Sequence, residues 1–458
     1  MNSYADFLAG KQQANDLHGF KPVWMPSFLF PFQSLLVKWA IEKGHAALFA
    51  ACGLGKTAMQ LTWAENIVRK TNKRVLILTP LAVAPQTVRE GNKFGIPCKQ
   101  SRRGVAHAGI TVTNYERLHH FDPKDFVGTV CDESSILKSF GGKLRRQITD
   151  FMRSMKYRLL CSATPAPNDY VELGNSSDAL GGVGRNQMLR MFFLNVEDPV
   201  GNIESTHHYR LKGHARDAFW RWLSSWARVI RQPSDLGCSD KGFILPKLTV
   251  EKHVVASTSP MTGLFRKAAI SLNSQRRERR ETLHARCEKA AEIVPKDRPA
   301  LLWCHLNSEG DLLERVVKDA VQVQGSDADE LKEERLLAFA DGQIRVLVTK
   351  PRIGGFGLNF QRCADMTFFP SHSWEQWHQC VRRCWRFGQE NPVLVSLITS
   401  EAESRVLANM QRKERLADEM YSEIVSAMSS YQKPTVKATN GHTEIMRIPI
   451  WLKSSSNG

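Results

Sequence analysis

The sequence has few of the features that mark a secreted or membrane protein. Its ten cysteines, spread over 458 residues, include no Cys-x-x-Cys pair, which argues against a disulfide framework. No apolar run approaches the roughly 18 residues of a membrane span, and the first twenty residues lack the basic-then-apolar order of a secretory signal. We therefore expect a protein of a cytosol-like compartment, with no membrane partner and with reduced, buried thiols.

Acidic residues are also scarce relative to basic ones. The chain has 46 aspartate and glutamate residues against 63 lysine and arginine residues, which gives a formal net charge of +17. An excess of this size favours a polyanionic partner, and nucleic acid is the first candidate. A basic surface that only keeps the protein in solution is the alternative.

Short apolar runs rich in β-branched residues alternate with longer helical stretches in both halves of the chain. The runs are AALFAA, RVLILTP, GITVTNY, GTVCDE and YRLLCSATP in the first half, and PALLWCHL, IRVLVTK, ADMTFFP and VLVSLITS in the second. Nearly continuous apolar character over four to eight residues is typical of parallel strands covered on both faces. The pattern predicts an α/β protein with two parallel-sheet lobes.

The predicted domain boundaries follow from shifts in composition along the chain. A first lobe with an N-terminal extension covers 1–195, a second lobe covers 251–430, and a polar tail covers 431–458. Between the lobes, 196–250 is predicted as a helical connecting region. Its segment DAFWRWLSSWARVI has apolar residues at helical spacing, which indicates a core-facing helix.

The segment AALFAACGLGKTAMQL reads as a strand, a glycine turn and the start of a helix. Amides of such a turn point into one space in front of the positive end of the helix dipole, where phosphate binds. Gly53 and Gly55 permit the tight turn, Lys56 reaches the terminal phosphates, and the Thr57 hydroxyl ligates Mg²⁺. The usual phosphate-loop pattern has glycine where this chain has Ala50.

Two further strand ends carry polar residues. Asp132 and Glu133 follow the apolar run TVC, and this pair suits a division of labour in phosphoryl transfer. Asp132 is predicted to hold Mg²⁺, and Glu133 to orient and deprotonate the attacking water. After the next strand, the hydroxyls of Ser162 and Thr164 are placed to sense the γ-phosphate.

The second lobe contributes a glycine-rich turn and a helix with three arginines. The turn PRIGGFGLNF includes Gly355, whose lack of a side chain permits close approach to phosphate or to the facing lobe. In SWEQWHQCVRRCWRFGQ, the aromatic and apolar residues share one arc of a helical wheel, and Arg382, Arg383 and Arg386 share another. The arginines suit an arginine finger that reaches nucleotide bound to the first lobe, and a solvated face is the alternative.

As an ordered series, these motifs resemble those of superfamily-two helicases, and more narrowly those of the Swi/Snf-type DNA-dependent ATPases. The series runs FPFQ, GLGKT, TPLAVAPQTVRE, TNYE, DESSILKS, SATPAPNDYVEL, GGFGLNFQ and QCVRRCWRFGQ, over about residues 30–400. The narrower resemblance rests on the asparagine and Glu-Leu after SATP, on Lys138 and on RFGQ. The compact length resembles small members encoded by bacterial viruses, which implies the bacterial or viral-host cytoplasm rather than a nucleus.

The resemblance implies two RecA-like lobes, with ATP in the cleft and DNA lying across both. It gives Gln33 an adenine contact, and it makes Arg383 and Arg386 the sensing and finger arginines. Thr113, Asn114 and Tyr115 fall in a motif that usually touches the DNA backbone.

The sequence departs from the family pattern in two places. The acidic motif ends in serine rather than histidine, and Lys-Pro-Arg precedes the glycine-rich turn.

Together with the resemblance, the motifs predict an ATP-dependent, Mg²⁺-requiring motor that moves on double-stranded DNA. We expect its binding to be independent of the base sequence of the DNA. We expect a monomer, with a protein partner as a possible means of recruitment. A strand-separating helicase of replication or recombination is the alternative within enzymes. A nucleic-acid-binding scaffold without catalysis is the alternative from another class, although such a scaffold would have no need of Lys56, Asp132, Glu133 and Arg386.

Overall fold

The computed structural model divides the chain into two units, residues 1–240 with 420–458, and residues 241–419. The described residues are 17–80, 83–138, 142–166, 169–196, 208–256, 261–262, 265–266, 272–354, 359–371 and 373–437. Gly355 of the predicted site lies outside them.

The first unit is built from a parallel sheet and the helices that cover it. Its strands are β1 (His45–Ala50), β2 (Arg74–Thr79), β3 (Cys98–Gln100), β4 (Ile110–Asn114), β5 (Phe126–Asp132), β6 (Tyr157–Ser162), β7 (Phe193–Val196), β8 (His208–Leu211) and β9 (Ala227–Ile230). Its helices are α1 (Pro31–Lys43), α2 (Lys56–Thr71), α3 (Ala84–Lys93), α4 (Lys143–Arg153), α5 (Leu173–Ala179), α6 (Arg185–Phe192) and α7 (Arg216–Trp226).

Seven of these strands form one sheet in the order β3-β4-β2-β5-β6-β1-β9. Every pairing in it is parallel, so the strands end at the same edge. Residues of β1, β2 and β5 are almost fully buried, because helices cover both faces, and this burial explains their continuous apolar character. Strands β7 and β8 form a separate antiparallel pair.

The helix predicted from DAFWRWLSSWARVI is confirmed as far as Trp226, where α7 ends. For the last four residues, ARVI, the prediction of helix is wrong, because they form strand β9. Phe219, Trp222 and Trp226 are fully buried, and the Trp226 ring meets Phe49 of β1 edge to face at 6.1 Å between centroids. The domain boundaries given above stay predictions, although β9, within 196–250, pairs with β1 of the first sheet.

The second unit has its own parallel sheet. Its strands are β10 (Leu248–Val255), β11 (Met261–Thr262), β12 (Phe265–Arg266), β13 (Ala300–Trp303), β14 (Ala320–Val323), β15 (Val346–Thr349), β16 (Asp365–Phe368) and β17 (Val393–Ser400). Its helices are α8 (Leu272–Glu281), α9 (Leu283–Ile293), α10 (Asn307–Val316), α11 (Asp329–Asp341), α12 (Pro351–Gly354) and α13 (Trp374–Cys384). A last helix, α14 (Ser404–Lys437), begins in this unit and belongs to the first unit from Met420 onward.

The second sheet has six strands in the order β10-β17-β16-β13-β15-β14, again with parallel pairing throughout. Strands β11 and β12 form a short antiparallel pair. The prediction of two RecA-like parallel-sheet lobes is therefore confirmed. Within the described residues, no helix is both long and apolar enough to cross a bilayer. All ten cysteines are free thiols, and all except Cys52 and Cys238 are buried, as expected.

His45, the first residue of β1, makes the stability of the first unit depend on pH. Its ring stacks on His18 at 4.5 Å between centroids, and its Nε2 lies 3.0 Å from the Lys156 carbonyl oxygen. Burial, with further effects from Arg158 and His18, lowers the His45 pKa to about 4. In the unfolded chain the pKa is near the ordinary 6.5. Protonation therefore favours unfolding, and the stability is lost as pH falls from about 6.5 towards 4.

We expect the unfolding temperature of the wild-type protein to fall by about 2–4 °C more between pH 7 and pH 5 than that of His45→Gln. Glutamine retains an N–H donor for the Lys156 carbonyl but does not titrate. Thermal unfolding followed by circular dichroism measures the difference, and His119→Gln, at an exposed histidine, is the control. Equal pH dependence in wild type and His45→Gln would show that His45 does not contribute.

Candidate active site

The segment between β1 and α2 forms the predicted turn. Strand β1 ends at Ala50 and α2 begins at Lys56, so the predicted strand, turn and helix are confirmed. Gly53 has φ of 90° and Gly55 has φ of 73°, a left-handed backbone that residues with a side chain rarely adopt. The Ala51 N–H donates to the Ile230 carbonyl oxygen of β9 at 3.0 Å, which fixes the start of the turn.

Gln33 of α1 lies against this turn. Its Nε2 donates to the Leu54 carbonyl oxygen at 2.9 Å, and its Oε1 accepts from the Phe30 N–H at 3.0 Å. The side chain is 4% exposed, and a Cβ added at Gly55 would collide with its Nε2. Glycine at position 55 is thus required both for its backbone conformation and for the packing of Gln33.

The Lys56 ammonium folds back over the carbonyl oxygens at the start of the turn. Its Nζ donates to the Ala50 oxygen at 2.9 Å and lies 3.5 Å from the Ala51 oxygen. Thr57 follows in the first turn of α2 and is half-buried. The lysine charge and the threonine hydroxyl therefore lie beside the glycine turn, at the positive end of the α2 dipole.

Asp132, the last residue of β5, is held by α2 and by the chain that follows β4. Gln60 Nε2 donates to Asp132 Oδ1 at 2.6 Å, and the Tyr115 hydroxyl donates to the Asp132 backbone oxygen. Burial of the carboxyl group raises the Asp132 pKa to about 6, and the negative charge of Glu133 is the second contribution to this increase. The Gln60 hydrogen bond and the Lys56 charge act in the opposite direction. Asp132 and Lys56 thus interact although 76 residues separate them in the chain.

Glu133 has φ of 55°, a left-handed conformation that costs a residue with a side chain about 1–2 kcal/mol. The Ser162 hydroxyl at the end of β6 donates to Glu133 Oε1 at 3.1 Å, and Ser162 Oγ accepts from the Thr164 N–H at 3.0 Å. Since β5 and β6 are neighbours in the sheet, Asp132, Glu133 and Ser162 meet at one strand edge.

The three residues predicted to contact DNA are buried. Thr113 is 1%, Asn114 4% and Tyr115 1% exposed. Thr113 Oγ1 donates to the Ser101 carbonyl oxygen at 2.8 Å, and the Tyr115 hydroxyl is bound to Asp132. A contact between these side chains and DNA therefore stays a prediction. Through the hydrogen bond of Tyr115, the segment 113–115 contacts the backbone of Asp132 at the end of β5.

In the second unit, the prediction that Arg382, Arg383 and Arg386 share one helical face is wrong for Arg386, because α13 ends at Cys384. Arg382 lies over the Trp385 ring at 4.3 Å, whereas Arg383 is 7% exposed. Arg386 donates through a terminal guanidinium nitrogen to Asn359 Oδ1, and the Phe360 N–H donates to the Arg383 carbonyl oxygen at 2.9 Å. Arg383 near the end of α13, and Arg386 just beyond it, thus contact Phe360 and Asn359, the last two residues of the segment PRIGGFGLNF.

No family model matches the chain. It is 22% identical to "Uncharacterized ATP-dependent helicase YqhH" of Bacillus subtilis, over 90% of this chain and 83% of that protein. It is also 22% identical to "Putative protein p41" of Acyrthosiphon pisum secondary endosymbiont phage 1, over 81% of this chain and 92% of that protein. A segment of 108 residues is 32% identical to "DNA repair protein rad8" of Schizosaccharomyces pombe, over 22% of this chain and 9% of that protein. These similarities support a helicase or ATPase family.

One residue of this site was not among the sequence predictions. Gln60 is fully buried on α2 and holds the Asp132 carboxylate. It follows Lys56 by four residues, so the two side chains share one face of the helix. This spacing, together with a polar residue among the apolar residues of α2, is a signal that could have identified it.

Mg²⁺ fits the oxygen donors near the turn. Among the described residues, no group of three or more His, Cys, Asp or Glu side chains forms a metal-binding cluster. In nucleotide sites, however, Mg²⁺ commonly takes only one or two protein ligands and completes its shell with phosphate and water. Asp132 and Thr57 are donors of that kind, and the nearby Gln60 Oε1 is buried with no hydrogen-bond partner among the described residues.

Proposed function

We propose that this protein hydrolyses ATP and uses the energy to move on double-stranded DNA or to remodel DNA–protein complexes. The observation that carries the proposal is the meeting of a glycine turn, Lys56, Asp132 and Glu133 in one unit. Gln60 and Ser162 orient the two carboxylates. The relative named an ATP-dependent helicase, which aligns with 90% of this chain, supports the use of ATP.

Each residue of the site has a proposed role. The amides around Gly53 and Gly55 bind phosphate oxygens. Gln33, which packs on the turn, contacts the adenine base. Lys56 exchanges the Ala50 oxygen for the terminal phosphates. Glu133, oriented by Ser162, accepts the proton of the attacking water.

We assign the Mg²⁺ contact to Thr57 and Asp132. When bound, Mg²⁺ would neutralise charge that develops on the phosphates. Gln60 keeps the Asp132 carboxylate in one orientation, because its Nε2 donates to Oδ1.

From the second unit, we propose that Arg383 senses the bound nucleotide and that Arg386 is the arginine finger. We also propose that Gly355 lets the backbone approach the nucleotide closely. The support for Arg386 is its contact with Asn359, which brings it to the end of the glycine-rich segment PRIGGFGLNF. An arginine supplied to a γ-phosphate stabilises charge in the transition state.

The contact between Tyr115 and Asp132 offers a route by which DNA stimulates hydrolysis. Tyr115 follows Thr113 and Asn114, the proposed DNA-contacting residues, and its hydroxyl binds the backbone of the acidic motif. A shift of this segment on DNA binding would move Asp132 directly. The resemblance to Swi/Snf-type ATPases favours duplex DNA, and contacts limited to phosphates would give sequence-independent binding that weakens with salt.

The rate of ATP hydrolysis, measured side by side without nucleic acid and with double-stranded DNA, single-stranded DNA or RNA, tests the proposal. We expect double-stranded DNA to stimulate the rate by about tenfold or more, with weaker stimulation by the other two, and with loss of stimulation between 50 and 200 mM salt. A forked duplex tests strand separation in the same preparation, and we expect little.

The alternatives predict different results. Efficient separation of the fork would identify a strand-separating helicase. DNA binding without ATP turnover under any of these conditions would identify a nucleic-acid-binding scaffold and overturn the proposal. Sedimentation of the protein with and without DNA tests the expected monomer.

A further inference from the structure

The last helix of the chain contacts the strands from which the glycine turn begins. The Tyr421 hydroxyl of α14 lies 3.3 Å from the Phe49 carbonyl oxygen and 3.1 Å from the Ile230 carbonyl oxygen. Phe49 is the penultimate residue of β1, and Ile230 is the last residue of β9. One hydroxyl therefore bridges two adjacent strand ends, although 191 residues separate it from Ile230 and 372 from Phe49.

These strand ends hold the start of the turn. The Ile230 oxygen also accepts the Ala51 N–H at 3.0 Å, and the next oxygen along β1, that of Ala50, accepts the Lys56 ammonium at 2.9 Å. A displacement of either strand end would therefore move Ala51 and change the contact between the Lys56 ammonium and the Ala50 oxygen. In the sheet order, β9 is the terminal strand, so it lacks a second neighbouring strand to hold it in place.

Contacts of Tyr421 and of its neighbours on α14 attach this part of the helix to the first unit. The Arg231 guanidinium group lies over its ring at 5.6 Å. Ile424 and Met428, on the same face of α14, are fully buried in the core of the first unit. Glu423 accepts the Tyr170 hydroxyl at 2.8 Å and pairs with Arg216.

We propose that Tyr421 is a positioning residue for the phosphate-binding turn. Its hydroxyl joins the ends of β1 and β9, and it thereby holds Ala51 and the Lys56 contact in the geometry that binds nucleotide. The inference rests on the proposed ATP site and adds a residue from the far end of the chain to it. Tyr421 acts through the backbone of β1 and β9, because its hydroxyl contacts the backbone oxygens of Phe49 and Ile230.

Tyr421→Phe tests the proposal, because phenylalanine keeps the ring and its packing and removes only the hydroxyl. Tyr170→Phe is the matched control, since it removes a hydroxyl that binds the same stretch of α14 through a side chain, that of Glu423. Thermal unfolding of both variants measures any general loss of stability, which we expect to be small and similar.

We expect Tyr421→Phe to raise the Kd for ADP and the KM for ATP by about threefold to tenfold, the range that loss of one hydrogen bond produces. We expect kcat to change by less than about twofold, because a correctly placed nucleotide still meets Glu133 and Asp132. Hydrogen exchange in a peptide that covers residues 46–61 should be faster in Tyr421→Phe. Tyr170→Phe should match wild type in all of these measurements.

The results separate failure of this inference from failure of the proposed function. Wild-type protein that binds ADP, together with a Tyr421→Phe variant that has wild-type Kd and wild-type exchange, would overturn the positioning role alone. Equal losses of affinity in both tyrosine variants would overturn it too, because they would indicate a general effect of α14 packing. Wild-type protein that binds no ADP would overturn the proposed function.

Discussion

Replacement of Glu133 by glutamine is expected to lower the rate of ATP hydrolysis by about 10²- to 10⁴-fold, the range attributed to a general base. Glutamine has nearly the same shape, and its carbonyl oxygen still accepts the Ser162 hydroxyl that binds Glu133 Oε1 at 3.1 Å. It cannot accept the proton of the attacking water. The substitution therefore removes the chemistry and leaves the site assembled.

Steady-state hydrolysis and ADP binding, measured on the same preparation, test this prediction. We expect the Kd for ADP to change by less than about threefold, because the hydrogen bond of the Glu133 side chain is to Ser162 and not to the glycine turn. Glu116→Gln, at an exposed carboxylate on the 3-10 helix Tyr115–His120, controls for the change in net charge and should hydrolyse ATP at the wild-type rate. Wild-type turnover by Glu133→Gln would exclude Glu133 as the base.

The backbone at Glu133 explains why the carboxylate lies where a base is needed. In an extended strand, successive side chains point to opposite faces. The positive φ of 55° at Glu133 ends the extended conformation immediately after Asp132, which allows the Glu133 carboxylate to meet Ser162 on the neighbouring strand. Strain at a single residue of this kind is common at functional sites, where surrounding contacts offset its cost. The Ser162 hydrogen bond is one such contact.

The sequence was sufficient to predict the features that depend on local chemistry. Continuous apolar runs identified the parallel strands, because a strand covered on both faces has no polar side. The glycine turn was identifiable although Ala50 replaces the usual first glycine. The structure gives the reason: Ala50 is the last residue of β1, where an ordinary extended backbone suffices, and Gly53 and Gly55 supply the two left-handed positions.

Other features depend on which elements meet in space, and local patterns do not specify that. A helical wheel placed Arg382, Arg383 and Arg386 on one arc, but α13 ends at Cys384, so Arg386 is not on the helix. Contacts with Trp385 and Asn359 give Arg382 and Arg386 separate surroundings. Similarly, the motif around Tyr115 was interpreted as a DNA contact. Its hydroxyl instead contacts the backbone of Asp132, although β2 lies between β4 and β5 in the sheet. Such a contact between strands that are not neighbours depends on the strand order, which the motif does not specify.

Replacement of Lys56 by alanine is expected to lower kcat/KM for ATP by about 10²- to 10³-fold, the effect of removing one preorganised charge or donor from a phosphoryl-transfer site. The ammonium lies over the Ala50 and Ala51 oxygens, within the turn that would bind the phosphates. Its charge also favours the ionised form of Asp132. Loss of Lys56 would therefore remove a phosphate contact and raise the pKa of the proposed Mg²⁺ ligand.

Lys56→Ala should differ from Glu133→Gln in ground-state binding, because only Lys56 is proposed to contact the nucleotide before hydrolysis. We expect its Kd for ADP to rise about tenfold or more, which separates the two roles in one assay. Lys70→Ala, at an exposed position near the end of the same helix, is the matched control for charge. Loss of the contact with Ala50 should cost only about 0.5–1.5 kcal/mol of folding free energy, so the variant should unfold cooperatively close to the wild-type temperature. Unchanged turnover in a folded Lys56→Ala protein would mean that hydrolysis takes place elsewhere, and the glycine turn would lose its assigned role.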